Sequence, residues 1–157
     1  MKQEPAGDLG TSPGGRASVR VTKAVVEAIK LHGREAYPDE GCGFLLGQDA
    51  IPRRIDEFRA ATNIETEDRG VRYRVDPAET LRLTKELSGS GREILGFYHS
   101  HPDHPARPSV TDLDRAFTWY TYVIVAVEKR RPVDLRAWSL EDRDGRRTFR
   151  EVEIELV

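Results

Sequence analysis

Residues 94–102, Ile-Leu-Gly-Phe-Tyr-His-Ser-His-Pro, restrict the fold of this chain more tightly than any other stretch. The apolar run Ile94 to Tyr98 is bounded by Gly91 and by prolines, and so reads as a short buried strand. Side chains alternate along a strand, which predicts Leu95, Phe97, His99 and His101 on one face. Two imidazoles then stand side by side where the apolar part ends. Pro102, Pro105 and Pro108 break regular structure until Ser109, which suits a helix N-cap with Asp112 at the third helical position. A carboxylate in a helix's first turn can swing back towards the end of the preceding strand. Two neutral imidazoles and one carboxylate form a three-ligand set of the kind that leaves zinc an open fourth position. His99, His101 and Asp112 are therefore candidate ligands of a catalytic metal.

The plainer reading of the same residues stays open at this point. His99 and His101 also suit half-exposed strand-end histidines, and Ser109 with Asp112 is the pattern of an ordinary capping box. His104 adds a third imidazole within reach and is read as a loop residue facing solvent or substrate. The chain has 157 residues, enough for one domain that buries about two thirds of its unfolded surface, so a metal is not needed to hold the fold. With 25 basic and 27 acidic residues the formal net charge is −2, which offers no general field for nucleic acid or an anionic membrane. Cys42 is the lone cysteine, which excludes an intrachain disulfide and points to a reducing cytoplasm. A signal-peptide hydrophobic region and a bilayer-length apolar run are both missing from the sequence.

Taken in order, residues 1–17 are rich in Gly, Pro, Ser and charge and predict a disordered tail ahead of one domain over 18–157. Ser18 to Val21 is a short strand. Thr22 then caps a helix to about Ala36, whose core face carries Val25, Ala28, Ile29, His32 and Ala36. Pro38 stops it, and His32 is assigned no role. Phe44 to Leu46 is wholly apolar, as in a strand buried on both faces, and Glu40 stands just before it beside a glycine. Cys42 invites a thiol-nucleophile reading with His99 or His101, but a small residue flanked by glycines ahead of an apolar strand is more often core. Residues 51–62 and 71–75 read as strands, and Asp76-Pro77 starts a helix to about Leu87. Tyr122 to Val127 is another strand. Val133 to Leu140 and Arg147 to Leu156 form a hairpin about Asp144-Gly145. The element order predicts a mixed α+β domain, a mixed sheet with helices packed on it.

Three segments then combine: Glu40-Gly41-Cys42-Gly43-Phe44-Leu45-Leu46-Gly47, His99-Ser100-His101-Pro102, and Ser109 with Asp112. In that order they resemble the JAMM (MPN-plus) metallopeptidases, compact prokaryotic type, whose pattern is a glutamate before a Gly-rich strand, His-Ser/Thr-His-Pro, and Ser-x-x-Asp. Arg72 to Pro77 is similar to a segment of the bacterial members. The resemblance implies a single mixed sheet, partly barrel-like and flanked by about three helices, the cytidine-deaminase-like JAMM fold. It implies one zinc per chain held by His99, His101 and Asp112, with Glu40 as general base and acid and Ser109 as oxyanion donor. Ser109 would have to share one hydroxyl between its cap and catalysis. Ser100 is expected to orient the strand end. The implied substrate is an amide after the Gly-Gly tail of a ubiquitin-like, sulfur-carrier protein, its tail adding beside the sheet edge near the metal. Two further readings stand beside this one: a zinc hydrolase of small or cell-wall peptides, and a non-catalytic MPN-type scaffold.

Overall fold

The computed structural model describes residues 17–157. Among them the elements run β1 (Ser18–Val21), α1 (Lys23–Ala36), β2 (Cys42–Gln48), β3 (Arg54–Ala61), α2 (Pro77–Leu87), β4 (Glu93–Pro102), α3 (Val110–Arg115), β5 (Thr121–Glu128), β6 (Arg131–Arg143) and β7 (Arg146–Leu156). The tail expected over residues 1–17 lies outside the described residues apart from Ala17, whose carbonyl accepts from the Glu153 amide. No helix among the described residues is long and apolar enough to cross a membrane.

The seven strands form one mixed sheet in the order β1-β3-β2-β4-β5-β6-β7, and β7 returns to β1 to close a barrel. Strand β1 runs parallel to both of its neighbours, and β4 runs parallel to β5. The remaining pairs are antiparallel. The mixed sheet, the helices and the barrel character match the sequence reading, and closure goes further than it. β4 itself offers no edge, since β2 pairs with it on one side and β5 on the other; β1 meets β3 only at Arg54 and Ile55, so Glu57 to Ala61 of β3 pair with β2 alone among the described strands.

Each helix begins as its cap residues dictate. Thr22 Oγ1 accepts from the Val25 amide at 3.3 Å, and Asp76 Oδ1 accepts from the Ala78 amide at 2.9 Å with Pro77 in the first turn. Every strand contributes to one core, which α1 completes with Val25, Val26 and Ile29. On the opposite face of the sheet, Leu83 and Leu87 of α2 cover Phe44, Leu46 and Ile94. At roughly 1.5–3 kcal/mol for each buried leucine, those two side chains contribute about 3–6 kcal/mol to seating α2. The β6–β7 hairpin turns at Asp144 and Gly145, both at positive φ, as the Asp-Gly signal requires.

Three expectations need correction. Ala28 of α1 is exposed, and Val26 and Gly33 are the buried residues beside Val25 and Ile29. Leu95 does not share a face with Phe97, His99 and His101. The β2–β4 register shifts between Leu45, opposite Gly96, and Leu46, opposite Ile94, so Leu95 is the extra residue of a bulge. It therefore enters the α1-side core with Tyr98, while Phe97 packs on the other side with the α2 cluster. Residues 71–75 are also not a strand. They touch residue 63 through a single bridge, Asn63 to Val75, and side chains take up the carbonyls of Arg72 and Tyr73. The segment is an ordered loop held by Asn63 and Arg115.

Candidate metal centre

The end of β4 presents His99 and His101 on the face away from α1, and both are buried. Asp112 arrives from the first turn of α3. That turn is fixed by a reciprocal cap, in which Ser109 Oγ accepts from the Asp112 amide at 3.0 Å and Asp112 Oδ2 accepts from the Ser109 amide at 2.8 Å. The same Oδ2 lies 3.1 Å from His99 Nε2 and 3.3 Å from His101 Nε2, and the two Nε2 atoms are 3.0 Å apart. Tetrahedral bonds of about 2.0–2.1 Å to nitrogen or oxygen place neighbouring ligand atoms roughly 3.3–3.4 Å apart. The donor triangle is close to that size. His101 Nδ1 donates to the Pro105 carbonyl at 2.7 Å, which orients the ring with its Nε2 towards Asp112.

Glu40 stands in the turn before β2, almost fully buried, with Oε1 3.6 Å from His101 Nε2 and Oε2 without a partner. Glu40, His99 and His101 by themselves form a group that could hold a metal ion. Two donor sets thus share the imidazoles, one completed by Glu40 and one by Asp112. Asp112 is the nearer to both rings, and its charge state favours it. Burial pushes its carboxyl up, yet the His99 charge, hydrogen bonds from both imidazoles and the Ser109 amide outweigh that and hold it well below the usual carboxylate range. Glu40 is pushed the other way, to about 8, by burial and by the nearby Asp112 charge, against the opposing pull of His101 and Arg115. One carboxyl is set to remain an anion and the other to exchange a proton. Burial also lowers His99, with Asp112 opposing, whereas on His101 the Asp112 contact overcomes burial and raises it.

The turn carrying Glu40 is pinned to β4. The Ser100 amide donates to the Gly41 carbonyl at 2.9 Å, and the Gly41 amide donates to Ser100 Oγ at 2.8 Å. Ser100 thus faces away from the donors and orients the chain around them. Cys42 lies opposite His99 in the β2–β4 register, but it is fully buried and burial drives its thiol up to about 12. No thiolate nucleophile is available there. His104 is exposed and turns its Nδ1 to the Pro102 carbonyl. It stays outside the donor triangle.

The sequence reading missed a clamp above the site. Tyr73 stacks on the His99 ring, with centroids 4.4 Å apart and planes 21° from parallel. Arg115, one turn after Asp112, donates to the Tyr73 carbonyl at 2.7 Å and to Glu65 at 3.3 Å. Nothing in the sequence near Tyr73 or Glu65 announces this, because the contact spans 42 to 50 residues. Tyr73, Arg115, Thr111 and Asp112 line a narrow pocket over the donors.

Comparison with known proteins bears on this geometry. The model of a family described as prokaryotic homologs of the JAB domain matches residues 22–141. The desampylase of Haloferax volcanii is 36% identical over 110 residues, which cover 66% of this chain and 77% of that protein. The CysO-cysteine peptidase of Mycobacterium tuberculosis is 31% identical over 130 residues, covering 82% of this chain and 87% of that one. The solution structure of a protein from Desulfitobacterium hafniense superposes with a TM-score of 0.74 at 32% identity, covering 88% of this chain and 92% of the other.

Proposed function

This chain belongs to the prokaryotic JAB-domain family, and on that premise we propose that it is a zinc-dependent peptidase. Its substrate is an amide that follows the C-terminal Gly-Gly tail of a ubiquitin-like, sulfur-carrier protein, in the cytoplasm. The observation that carries this reading is the convergence of His99 Nε2, His101 Nε2 and Asp112 Oδ2 beside a buried carboxyl whose second oxygen has no partner. Two similar proteins bear the names desampylase and CysO-cysteine peptidase, and that supports the class of substrate.

His99, His101 and Asp112 would hold the ion, a nitrogen and carboxylate set that suits zinc with one position open. When bound, zinc acts as a Lewis acid that brings the pKa of water to about 7 and polarises a carbonyl. Glu40 Oε1 takes the proton of the attacking water and passes it to the leaving amine nitrogen. Its burial suits both halves of that exchange, because a carboxyl raised towards neutrality gives and accepts protons at similar cost. Ser109 accepts its cap with an oxygen lone pair, so the hydroxyl proton remains to be donated to the developing oxyanion. Cap and catalysis therefore use different parts of one hydroxyl. The narrow pocket beside Tyr73 and Thr111 suits glycine, since a tail without side chains is what fits against a stacked ring.

The test is zinc content by mass spectrometry together with hydrolysis of a carrier protein extended beyond Gly-Gly, run beside short unrelated peptides. About one zinc per chain and cleavage after the second glycine are expected, with turnover lost in Glu40→Gln. Retained turnover in that variant refutes the base. Equal cleavage of unrelated peptides refutes the substrate.

A further inference from the structure

Glu40 carries the proton in the chemistry proposed above, yet its backbone lies outside the sheet. Strand β2 begins to pair with β4 only at Cys42. Both polar groups of the Glu40 backbone go instead to the segment between β3 and α2. Its amide donates to the Arg69 carbonyl at 2.7 Å, and its carbonyl accepts from Asn63 Nδ2 at 3.2 Å. The same nitrogen donates to the Arg72 carbonyl at 3.1 Å. On the other side of the carboxamide, Oδ1 accepts from the Glu65 and Arg74 amides, each at 3.0 Å. A primary carboxamide has two N–H donors and an oxygen with two lone pairs, so all four positions of Asn63 are filled. The orientation of the group is forced as well. Turned over, its oxygen would face two carbonyls and its nitrogen two amide donors.

These four bonds join two parts of the site. Arg72 and Arg74 flank Tyr73, so Asn63 grips the chain on both sides of the ring that stacks on His99 with centroids 4.4 Å apart. The Ile64 amide adds a bond to the Arg74 carbonyl at 2.9 Å. At the other end of the same carboxamide stands the backbone of Glu40, whose Oε1 lies 3.6 Å from His101 Nε2. The carboxyl reaches the donors beside His101 while the ring covers His99, and one side chain ties the two together. Arg115 holds Tyr73 from α3 through its carbonyl. Asn63 holds Tyr73 and Glu40 at once.

We infer that Asn63 is a positioning residue for Glu40 and Tyr73, setting the base against the wall of the narrow pocket. This rests on the role proposed above for Glu40. The two halves of the carboxamide do different work. The donor half reaches the Glu40 carbonyl, and the acceptor half folds the loop around Tyr73. A catalytic group misplaced by about 1 Å can cost on the order of a hundredfold in rate. The Arg69 carbonyl and the Ser100 bonds still hold the turn when Asn63 is lost, so the shift expected is a fraction of that.

Asn63→Asp keeps the two acceptor bonds and loses both donors, whereas Asn63→Ala loses all four bonds without adding a charge. Hydrogen exchange by NMR on the zinc-loaded protein is read beside turnover of a carrier protein extended beyond Gly-Gly. Asn63 is the only asparagine of the chain, so its side-chain signals are readily assigned. In the wild type both of its Nδ2 protons should exchange at least about tenfold slower than those of exposed Gln48. In both variants kcat should fall about tenfold with zinc content unchanged. In Asn63→Asp the Glu65 and Arg74 amides should stay protected and KM should hold near wild type. In Asn63→Ala those amides should open, and KM should rise several-fold as Tyr73 is released. Rapidly exchanging Nδ2 protons in the wild type overturn the inference, as does wild-type kcat in either variant; a loss confined to Asn63→Asp belongs to the added charge. A kcat that falls only in proportion to bound zinc, or together with exchange accelerated uniformly through β2 and β4, also overturns it, since that is damage to the fold. A wild type that binds zinc but cleaves no carrier protein refutes the peptidase reading instead, and the Nδ2 exchange still decides whether Asn63 holds the Glu40 turn.

Discussion

In metal-free protein, Glu40→Gln should make the fold more stable while removing turnover from the loaded enzyme. The carboxyl is buried, and its pKa rises from an ordinary 4.5 to about 8 in the folded chain. Between those values the unfolded chain has released the proton and the folded chain still holds it. The folded state then binds more protons than the unfolded one, so stability falls as pH rises. At 1.36 kcal/mol per pH unit, the interval from 4.5 to 8 sets a ceiling of about 4.8 kcal/mol, of which about 3.5 lies between pH 5 and pH 8. His101 lies 3.6 Å away, and the effective dielectric of real sites softens the penalty, so a change of about 2 kcal/mol is expected. Glutamine has the same shape and cannot ionise. The assay is urea unfolding of chelated wild type and variant at pH 5, 6, 7 and 8. The variant's advantage should be small at pH 5 and widen steadily to pH 8. Asp112, held well below the usual range, stays ionised throughout this window and does not contribute to the difference. An advantage that is the same at pH 5 and pH 8 would falsify the assignment of Glu40 as a carboxyl destabilised by burial.

Three further outcomes follow from the same geometry. Asp112→Ala removes the donor nearest both imidazoles and the α3 cap together; zinc content measured after dialysis should fall below a tenth of wild type, and stability by about 1 kcal/mol. Gly41→Ala forces a methyl to within 2.8 Å of His32 Nδ1, so the turn must shift; kcat should drop more than tenfold while urea unfolding shows a loss of about 1–3 kcal/mol. Arg115→Ala releases Tyr73 and Glu65, which should raise KM for a carrier-protein substrate several-fold with a smaller change in kcat, and Arg115→Lys should recover only part because a point charge cannot fork between a carbonyl and a carboxylate.

Much of this protein was legible in its sequence because the signals were local. Thr22, Asp76 and Ser109 cap helices by reaching three or fewer residues ahead. Asp144-Gly145 marks a hairpin through its own backbone preference, and a run of apolar residues ending in His-Ser-His needs no distant partner to read as a strand with two imidazoles on one face. Pairing Glu40 with that strand came from a resemblance, since nothing local singles it out among the many acids of the chain.

Tertiary structure alone decided the rest. The bulge at Leu95 depends on how β2 and β4 fit around a shared core, and it turned one predicted core residue to the other face. Barrel closure pairs β1 with β7 from opposite ends of the domain, which no local pattern announces. The Tyr73 stack on His99, the Arg115 clamp and the contact from His32 to Tyr98, 66 residues apart, exist only once the chain has folded back on itself. Caps and periodicity are fixed by neighbours along the chain. The surroundings of a buried polar atom are fixed by whichever distant segments exclude water from it, and a sequence does not order its residues by that distance.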